Sequence, residues 1–278
     1  MARRIALGLP TLLGLARRGW FIPYRYAAAL PAPGRVPSYD ALAGRLRAAE
    51  PAMLELIDMM DDLAAALLAI GDAPPPAPRW TQSWFPGLDA AAAYALVRSR
   101  RPALIVEVGS GHSTRFLARA LADAGGEGRL LAIDPAPRAV IAGLERVEYH
   151  RNTLHAAPAE LFARLAPGDM LFIDSSHVLM PGSDVDHLLN RVLPRLPSGV
   201  LVHFHDIFLP DDYPAHWAWR GYNEQQGVAP LLHGGGYEIL FASHHARQRL
   251  GNRLGRSALA RLKLPEEALE SSLWLRKL

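Results

Sequence analysis

Residues 103–114 read ALIVEVGSGHST, a short run rich in Val, Ile and Leu that leads into a glycine turn. Three later runs have the same design: LLAIDPAPR at 130–138, MLFIDSSH at 170–177 and VLVHFHDIF at 200–208. Each run is as short and as apolar as a strand that is buried on both faces. Because the stretches between them have helical spacing, the sequence predicts an α/β protein with a parallel sheet covered by helices.

An acidic residue stands at or near the end of each of these four runs. The four acids are Glu107, Asp134, Asp174 and Asp206. In open parallel sheets, ligands bind at the carboxyl ends of the strands. We therefore expect the four acids to line one edge of the sheet, where a nucleotide-like cofactor would bind.

Composition excludes several classes of function. The chain has 278 residues, a formal net charge of +3 and no cysteine. Disulfide bonds, cysteine-ligated zinc and thiol catalysis are therefore excluded. The mild basic excess does not suggest a nucleic-acid partner. Half of the residues are hydrophobic, which is enough for one catalytic domain with extensions.

The N-terminal stretch is apolar with basic flanks. Arg3 and Arg4 precede the apolar run, Pro10 interrupts it, and Arg17 and Arg18 follow it. The run is too short to span a bilayer. Three interpretations stay open: a signal peptide, a helix on a membrane surface, and an ordinary docking helix. We expect a cytoplasmic protein.

A second helical region and a proline-rich linker precede the first strand. One helical stripe comprises Leu56, Met60, Leu63, Leu67 and Ile70. This stripe is expected to pack on the catalytic domain or on a second copy of the chain in a homo-oligomer. The segment APPPAP at 73–78 then enforces an extended linker. We place a helical extension with linker at residues 1–79 and the catalytic domain at residues 80–278.

The glycine turn carries the strongest chemical signal. Gly109 and Gly111 allow a tight turn and a close approach of ligand to backbone, and Ser113 or Thr114 is expected to cap the following helix. The sixth position of the dinucleotide pattern G-x-G-x-x-G is Thr114 rather than glycine, which counts against NAD. Glu107 would repel a pyrophosphate, whereas it suits a ligand with an ammonium or sulfonium group. That ligand is S-adenosylmethionine (SAM).

The region from about Trp84 to Leu278 resembles the class I SAM-dependent methyltransferases. It is most similar to the small-molecule O-methyltransferase branch, whose motifs read E-x-G-x-G-x-S-T, F-I-D-x-S-H and H-D. The resemblance implies a doubly wound, Rossmann-like sheet of seven strands in the order 3-2-1-4-5-7-6, with the last two strands antiparallel. The helices before residue 80 form an N-terminal extension to that sheet.

The resemblance also implies which residues bind the cofactor. Glu107 and the glycines would hold the methionine part of SAM, Asp134 would bind the ribose hydroxyls, and residues 152–154 would approach the adenine. The full predicted set is Glu107, Gly109, Ser110, Gly111, Ser113, Thr114, Asp134 and Asp174.

The acceptor site is expected to contain Asp174, Ser175, His177, His205 and Asp206. Several O-methyltransferases bind Mg²⁺ at this place, and a tentative metal set here is Asp174, His205 and Asp206. His205 stands where those relatives have a carboxylate, so Mn²⁺ would suit the set as well. The same residues would also serve without metal. In that case His177 or His205 acts as general base and Asp206 orients it, which makes the predicted catalytic set His177, His205 and Asp206.

An aromatic segment follows the fifth strand. It contains Phe208, Tyr213, Trp217, Trp219 and Tyr222. An insertion at this place overhangs the acceptor pocket in the fold, and its rings would stack on an acceptor. The adjacent acids Asp211 and Asp212 would bind acceptor hydroxyls.

These observations predict transfer of a methyl group from SAM to a hydroxyl of a small molecule or sugar. Two alternatives remain at this point. One is a metal-dependent enzyme on the same fold that does not transfer methyl groups. The other is a binding or scaffold protein with a vestigial pocket.

Overall fold

The computed structural model describes residues 2–262 and 264–278 and contains a seven-stranded sheet in the order β3-β2-β1-β4-β5-β7-β6. The strands are Leu104–Val108 (β1), Arg129–Ile133 (β2), Val147–His150 (β3), Met170–Ile173 (β4), Leu201–Phe204 (β5), Tyr237–Ala242 (β6) and Leu273–Lys277 (β7). Strands β1 to β5 are parallel, whereas β7 runs antiparallel to both β5 and β6. The predicted sheet and strand order are confirmed.

The central strands are apolar because both of their faces are covered. Every residue of β1, β4 and β5 is buried, as expected for a parallel sheet between two layers of helices. The edge strand β3 is only half-buried, and its sequence VEYH is correspondingly polar. Because β1, β2, β4 and β5 are parallel, the four acids at or near their ends lie at one edge of the sheet.

Eleven α-helices lie in the described part of the chain. They are Ala2–Leu12 (α1), Asp40–Ala48 (α2), Glu50–Asp62 (α3), Ala64–Leu68 (α4), Gly87–Arg100 (α5), His112–Ala124 (α6), Glu160–Ala163 (α7), Asp184–His187 (α8), Glu224–His233 (α9), Ser243–Arg249 (α10) and Gly251–Leu254 (α11). None of these helices has the length and apolarity needed to cross a membrane.

Two helical segments of the described structure are irregular. Helix α8 continues as a π-helical turn, Leu188–Val192, and a 3₁₀ turn, Leu193–Arg195, because Pro194 lacks the N–H that a regular helix needs. The basic segment at 245–262 is divided into α10, α11 and a 3₁₀ turn. Leu250 leaves helical geometry at the first of these breaks.

The helical extension shares one hydrophobic core with the sheet. Helix α3 packs on α5 and β6, and its side chains Met53, Ile57 and Met60 are fully buried there. This confirms that the stripe packs within the same chain. The proposed boundary between residues 79 and 80 does not separate two cores and stays a prediction about chain organisation.

Asp169 joins two strand ends below the sheet. Its buried carboxylate accepts a hydrogen bond from the N–H of Leu104 at 2.8 Å and another from the N–H of Ala166 at 2.9 Å. An alanine at this position would leave two backbone donors without partners. An unsatisfied buried donor costs about 1–3 kcal/mol.

We therefore expect Asp169→Ala to lower the free energy of unfolding by about 2–4 kcal/mol, measured by urea denaturation. The matched control is Asp62→Ala, since Asp62 is exposed and its replacement should change stability by less than about 0.5 kcal/mol. Equal effects of the two substitutions would contradict the bridging role of Asp169.

Candidate active site

A cavity of about 1140 Å³ lies at the carboxyl edge of the sheet. Strands β1, β2, β4 and β5 lead into it, and the aromatic segment after β5 forms its outer wall. The predicted site residues that line it are Gly109, Ser110, Gly111, Ser113, Asp134, Asp174, His177, His205 and Asp206. The structure thus brings most of the predicted site together, but Glu107 and Thr114 do not line the cavity.

The glycine turn packs directly against the end of β4. Gly109 has a φ of +85°, and a Cβ at this residue would lie 1.8 Å from the carbonyl oxygen of Asp174. No other residue type fits there. A Cβ on Gly111 would instead meet no atom within 4 Å. Gly111 therefore leaves space on the side of the cavity, where a ligand can approach the backbone.

Glu107 lies behind the turn rather than in the cavity wall. Its fully buried carboxylate accepts hydrogen bonds from the hydroxyls of Ser113 and Thr114, both at 2.7 Å. Thr114 Oγ1 also accepts from the N–H of Gly111 at 2.8 Å. Thr114 therefore takes part in capping α6 as expected, since its hydroxyl oxygen accepts from the N–H of the cap residue Gly111, whereas the hydroxyl of Ser113 only binds Glu107.

Burial has a large effect on Glu107. It raises the pKa of this carboxyl to about 8, although the two hydroxyl donors act in the opposite direction and the charges of Asp174 and Asp134 add to the rise. Glu107 is therefore mostly protonated at pH 7. A cation bound at the glycine turn would favour its charged form.

Two backbone N–H groups hold the carboxylate of Asp134, the residue that we expect to bind the ribose. Its Oδ2 accepts from the N–H of Ser110 and its Oδ1 from the N–H of Ala136, both at 2.7 Å. Since a carboxylate has about four acceptor positions, each oxygen can still accept a further hydrogen bond. Asp134 can therefore be fixed by the protein and bind sugar hydroxyls at the same time.

Two hydroxyl groups of the cavity wall have no hydrogen-bond partner in the described structure. The hydroxyls of Ser110 and Ser175 are buried and make no hydrogen bond in the described structure, although both residues line the cavity. Buried polar atoms are nearly always hydrogen-bonded, so these two are free to bind a ligand. Thr153 and Leu154 line the same cavity beyond Asp134, at the place expected for the adenine.

Two histidines and two aspartates form a cluster at the ends of β4 and β5. His177 Nε2 lies 3.1 Å from Asp174 Oδ1 and 3.4 Å from Asp206 Oδ2. His205 Nδ1 lies 3.5 Å from the Oδ1 atoms of both Asp174 and Asp206. His203, by contrast, stacks on Phe172 inside the core, with ring centroids 3.7 Å apart.

Each clustered histidine has a second carboxylate behind it. His177 Nδ1 lies 2.8 Å from Glu224 Oε2, and His205 Nε2 lies 3.4 Å from Asp89 Oδ2. Sequence reasoning assigned no role to either acid. Asp89 had a detectable signal, since it is a lone acid in the apolar run of α5. Its carboxylate also accepts from the N–H groups of Ser271 and Ser272.

The carboxylates outweigh the effect of burial on both histidines. Burial alone would lower the pKa of His177, but Asp206, Asp174 and Glu224 raise it well above its usual value. Asp206, Asp174 and Asp89 raise the pKa of His205 in the same way. The carboxylates therefore favour the protonated form of both imidazoles.

His177 and Asp206 also have unusual backbone geometry. Their φ angles are +59° and +56°, in the left-handed region that non-glycine residues rarely adopt. Such strain is concentrated at functional sites, where it aims side chains. Here the two residues bring His177 Nε2 and Asp206 Oδ2 to 3.4 Å from each other.

The tentative metal set is not supported by the arrangement of its atoms. No group of three or more His, Asp or Glu side chains within residues 2–262 and 264–278 could hold a metal ion as placed. A histidine must also be neutral to bind a metal, whereas the surrounding acids stabilise the protonated form of His205. The metal at Asp174, His205 and Asp206 stays a prediction.

The aromatic segment covers the cluster. Tyr222 packs on the ring of His177, with centroids 4.6 Å apart, and Arg220 lies 4.0 Å above the ring of Trp217. Trp217, Trp219 and Arg220 line the cavity, as expected for an overhanging segment, whereas Phe208, Tyr213 and Tyr222 do not line it and are not placed to stack on an acceptor.

The expected role of Asp211 and Asp212 is wrong. Asp211 pairs with Ser38 and His244, and Asp212 accepts from the N–H of Gly34. Neither aspartate lines the cavity. Both carboxylates instead bind the segment that precedes α2.

The comparisons with known proteins agree with this geometry. Residues 106–207 match the family model described as "Methyltransferase domain". No curated protein matches the chain. The matched segment extends from β1 to the residue after Asp206, so it contains the glycine turn and the histidine–aspartate cluster.

Solved structures with detectable similarity include three methyltransferases. TomG from Streptomyces achromogenes, an O-methyltransferase in complex with SAM, is 18% identical, with 80% of this chain and 89% of that chain covered and a TM-score of 0.43. An O-methyltransferase from Bacillus cereus with S-adenosylhomocysteine (SAH) is 13% identical over 81% and 91%, with a TM-score of 0.43. SAH-bound PaMTH1 from Podospora anserina is 14% identical over 94% and 99%, with a TM-score of 0.41.

The sheet order and the position of the cavity define a class I methyltransferase fold. The segment from β1 to Ile207 matches a methyltransferase domain, so this part of the chain is that of a methyltransferase.

The raised pKa of Glu107 predicts that SAM binding releases a proton. Because Glu107 is mostly protonated at pH 7 and the cationic ligand favours the carboxylate, about one proton should leave on binding, and affinity should rise as the pH approaches 8. Calorimetric titration in buffers of different ionisation enthalpy measures this proton. Glu107→Gln should abolish the release, while Glu145→Gln, at an exposed position, should not. Release that is unchanged in Glu107→Gln would contradict the assignment.

Proposed function

We propose that the protein transfers the methyl group of SAM to a hydroxyl group of a small molecule, and that the cluster of His177, His205, Asp174 and Asp206 removes the hydroxyl proton. The observation that carries this proposal is the position of the cluster. It lies in the same cavity as the glycine turn and Asp134. Cofactor and acceptor would thus meet at the ends of β1, β4 and β5.

The free polar groups of the cavity fit SAM. Asp134 has acceptor positions for the ribose hydroxyls, and the hydroxyls of Ser110 and Ser175 are free to bind the amino-acid end. Gly109 and Gly111 admit the ligand to the backbone, while Ser113 and Thr114 act through Glu107. When bound, SAM supplies an electrophilic methyl group.

His177 is the residue best placed to take the acceptor proton. With a proton on Nδ1 donated to Glu224, its Nε2 presents a lone pair toward Asp174 and Asp206. Glu224 thereby fixes the tautomer that a general base needs. Asp206 and Asp174 would orient the hydroxyl, and Tyr222 and Trp217 would exclude water above it.

The partners of this reaction are inferred from the same cavity. The acceptor is a small molecule that the aromatic wall can cover, which includes sugars, since aromatic rings stack on sugar faces.

We place the enzyme in the cytoplasm, and cell fractionation tests that placement. Light scattering of the purified chain tests whether it forms a homo-oligomer.

Asp206→Asn should abolish turnover and preserve SAM binding. The substitution keeps the size of the side chain and tolerates the left-handed backbone, but it removes the charge that faces both histidines. We expect turnover to fall at least about 100-fold, with a SAM dissociation constant within about threefold of the unmodified protein. Asp212→Asn, at an acid outside the cavity, is the matched control. Near-normal turnover of Asp206→Asn would move the chemistry elsewhere.

The same assay decides whether a metal takes part. Proton removal by His177 needs no metal, so dialysis against a chelator should leave turnover unchanged. Loss of turnover on dialysis, restored by Mg²⁺ or Mn²⁺, would establish the metal set of Asp174, His205 and Asp206 and contradict the role given to His177.

The raised pKa of His177 predicts that turnover increases with pH. The imidazole must lose a proton before it can accept one, so the rise in kcat should lie above pH 6.5. Glu224→Gln removes one of the carboxylates that raise this pKa, and the rise should move to lower pH by about one unit or more. Glu238→Gln, on β6, is the control. A profile that Glu224→Gln leaves in place would exclude His177 as the base.

A further inference from the structure

The N-terminal arm, residues 5–39, differs in charge from the rest of the protein. The arm contains four arginines and no acidic residue, and Arg3 and Arg4 precede it, whereas residues 40–278 contain 24 basic and 27 acidic side chains. The net charge of +3 therefore combines a strongly basic arm with a weakly acidic body. An arm of this charge favours an anionic partner.

The arm also carries most of the large hydrophobic side chains that are exposed in the described structure. Of the 21 large hydrophobic side chains that are exposed in the described part of the chain, 14 lie in the arm. Contiguous apolar patches on a protein surface usually mark an interaction site. The arm includes an apolar and aromatic series on both sides of Arg17 and Arg18: Leu12, Leu13, Leu15, Trp20, Phe21 and Ile22.

Two independent observations place the arm at the entrance of the active-site cavity. Trp20 lines the cavity together with Trp84 and Trp219, and all three rings are exposed. The other end of the arm is bound to the start of the aromatic segment. The N–H of Gly34 donates to Asp212 at 3.1 Å, and the N–H of Tyr39 donates to the carbonyl of Pro210 at 2.9 Å.

We propose that the arm binds the surface of an anionic lipid bilayer with the entrance of the cavity facing the membrane. Exposed leucines and isoleucines insert among acyl chains, tryptophan and tyrosine prefer the interface, and arginines pair with anionic headgroups. A second copy of the chain fits less well. Outside the arm only seven large apolar side chains are exposed in the described structure, and two of these, Trp84 and Trp219, belong to the cavity entrance itself.

The position of the cavity entrance at the membrane indicates the class of acceptor that the active site takes. This part of the inference rests on the proposed function. An acceptor that enters between Trp20, Trp84 and Trp219 comes from the membrane interface. The acceptor is therefore an amphiphile, with a hydroxyl-bearing polar head that reaches the cluster at His177 and an apolar tail that stays in the lipid.

Flotation with lipid vesicles tests the docking. The full chain, without SAM, should float with vesicles of phosphatidylcholine containing phosphatidylglycerol and should bind pure phosphatidylcholine vesicles much more weakly. Reversal of two exposed arm charges, Arg17→Glu with Arg18→Glu, should weaken binding at least about tenfold, since each basic residue near the surface contributes about 1 kcal/mol. Arg47→Glu with Arg100→Glu makes the same charge change at exposed positions of the body and should have a small effect.

Three outcomes would overturn the docking. They are equal binding to neutral and anionic vesicles, equal loss in both charge-reversal variants, and an arm-dependent dimer in light scattering that does not float. Because the assay contains no SAM, it is independent of methyl transfer. A chain that floats but does not bind SAM would refute the proposed function and leave the docking intact.

Quenching by brominated acyl chains tests the orientation of the cavity entrance. In Trp20→Phe the remaining tryptophan fluorescence should still be quenched on the anionic vesicles, and Trp20→Phe with Trp219→Phe should lose a large part of that quenching. If Trp20→Phe floats normally but shows no quenching, the arm binds the membrane while the entrance faces away. That result would overturn the inference of an amphiphilic acceptor.

Discussion

The contact between Gly109 and the carbonyl of Asp174 fixes the geometry of the whole site. It joins the glycine turn after β1 to the end of β4, with no room for a side chain between them. Backbone hydrogen bonds hold the same strand ends together, from the N–H of Asp174 to Val108 and from the N–H of Gly109 to Ile133. The distance between a bound cofactor and the cluster at His177 is therefore set by backbone packing, which is much stiffer than side-chain contacts.

The parts of this arrangement that sequence reasoning predicted are local. A buried parallel strand is recognisable from its own residues, and a parallel sheet places all carboxyl ends at one edge, so Asp134, Asp174 and Asp206 could be located from the amino-acid sequence alone. The carboxylates that contact the two histidines from behind could not be predicted in this way. Glu224 is 47 residues from His177 along the chain, and Asp89 is 116 residues from His205. Contacts of that kind depend on how α5 and α9 pack on the sheet, which hydrophobic periodicity does not specify.

The surroundings of Glu107 could not be predicted from the sequence for the same reason. A carboxylate at the end of β1 was expected to face the ligand, but the hydroxyls of Ser113 and Thr114 one turn away bind it more closely. Thr114 joins this carboxylate to the start of α6, because its hydroxyl oxygen also accepts from the N–H of Gly111. Glu107 thus supports the glycine turn, a role that depends on its three-dimensional surroundings.

The cluster places two imidazoles among four carboxylates, those of Asp89, Asp174, Asp206 and Glu224, and all of these side chains except that of Asp174 are buried. Such an arrangement contributes little to stability, because desolvation of the charges offsets much of their attraction. Strained φ angles at His177 and Asp206 add a further cost. A protein keeps groups of this kind where their chemistry is needed, and the rigid contact at Gly109 allows it to do so without loss of geometry.

The aromatic segment connects the cluster to the arm. Tyr222 packs on His177 at one end of the segment, and Pro210 and Asp212 hold the arm at the other end. The arm and the ring that packs on His177 are therefore linked through a single stretch of chain.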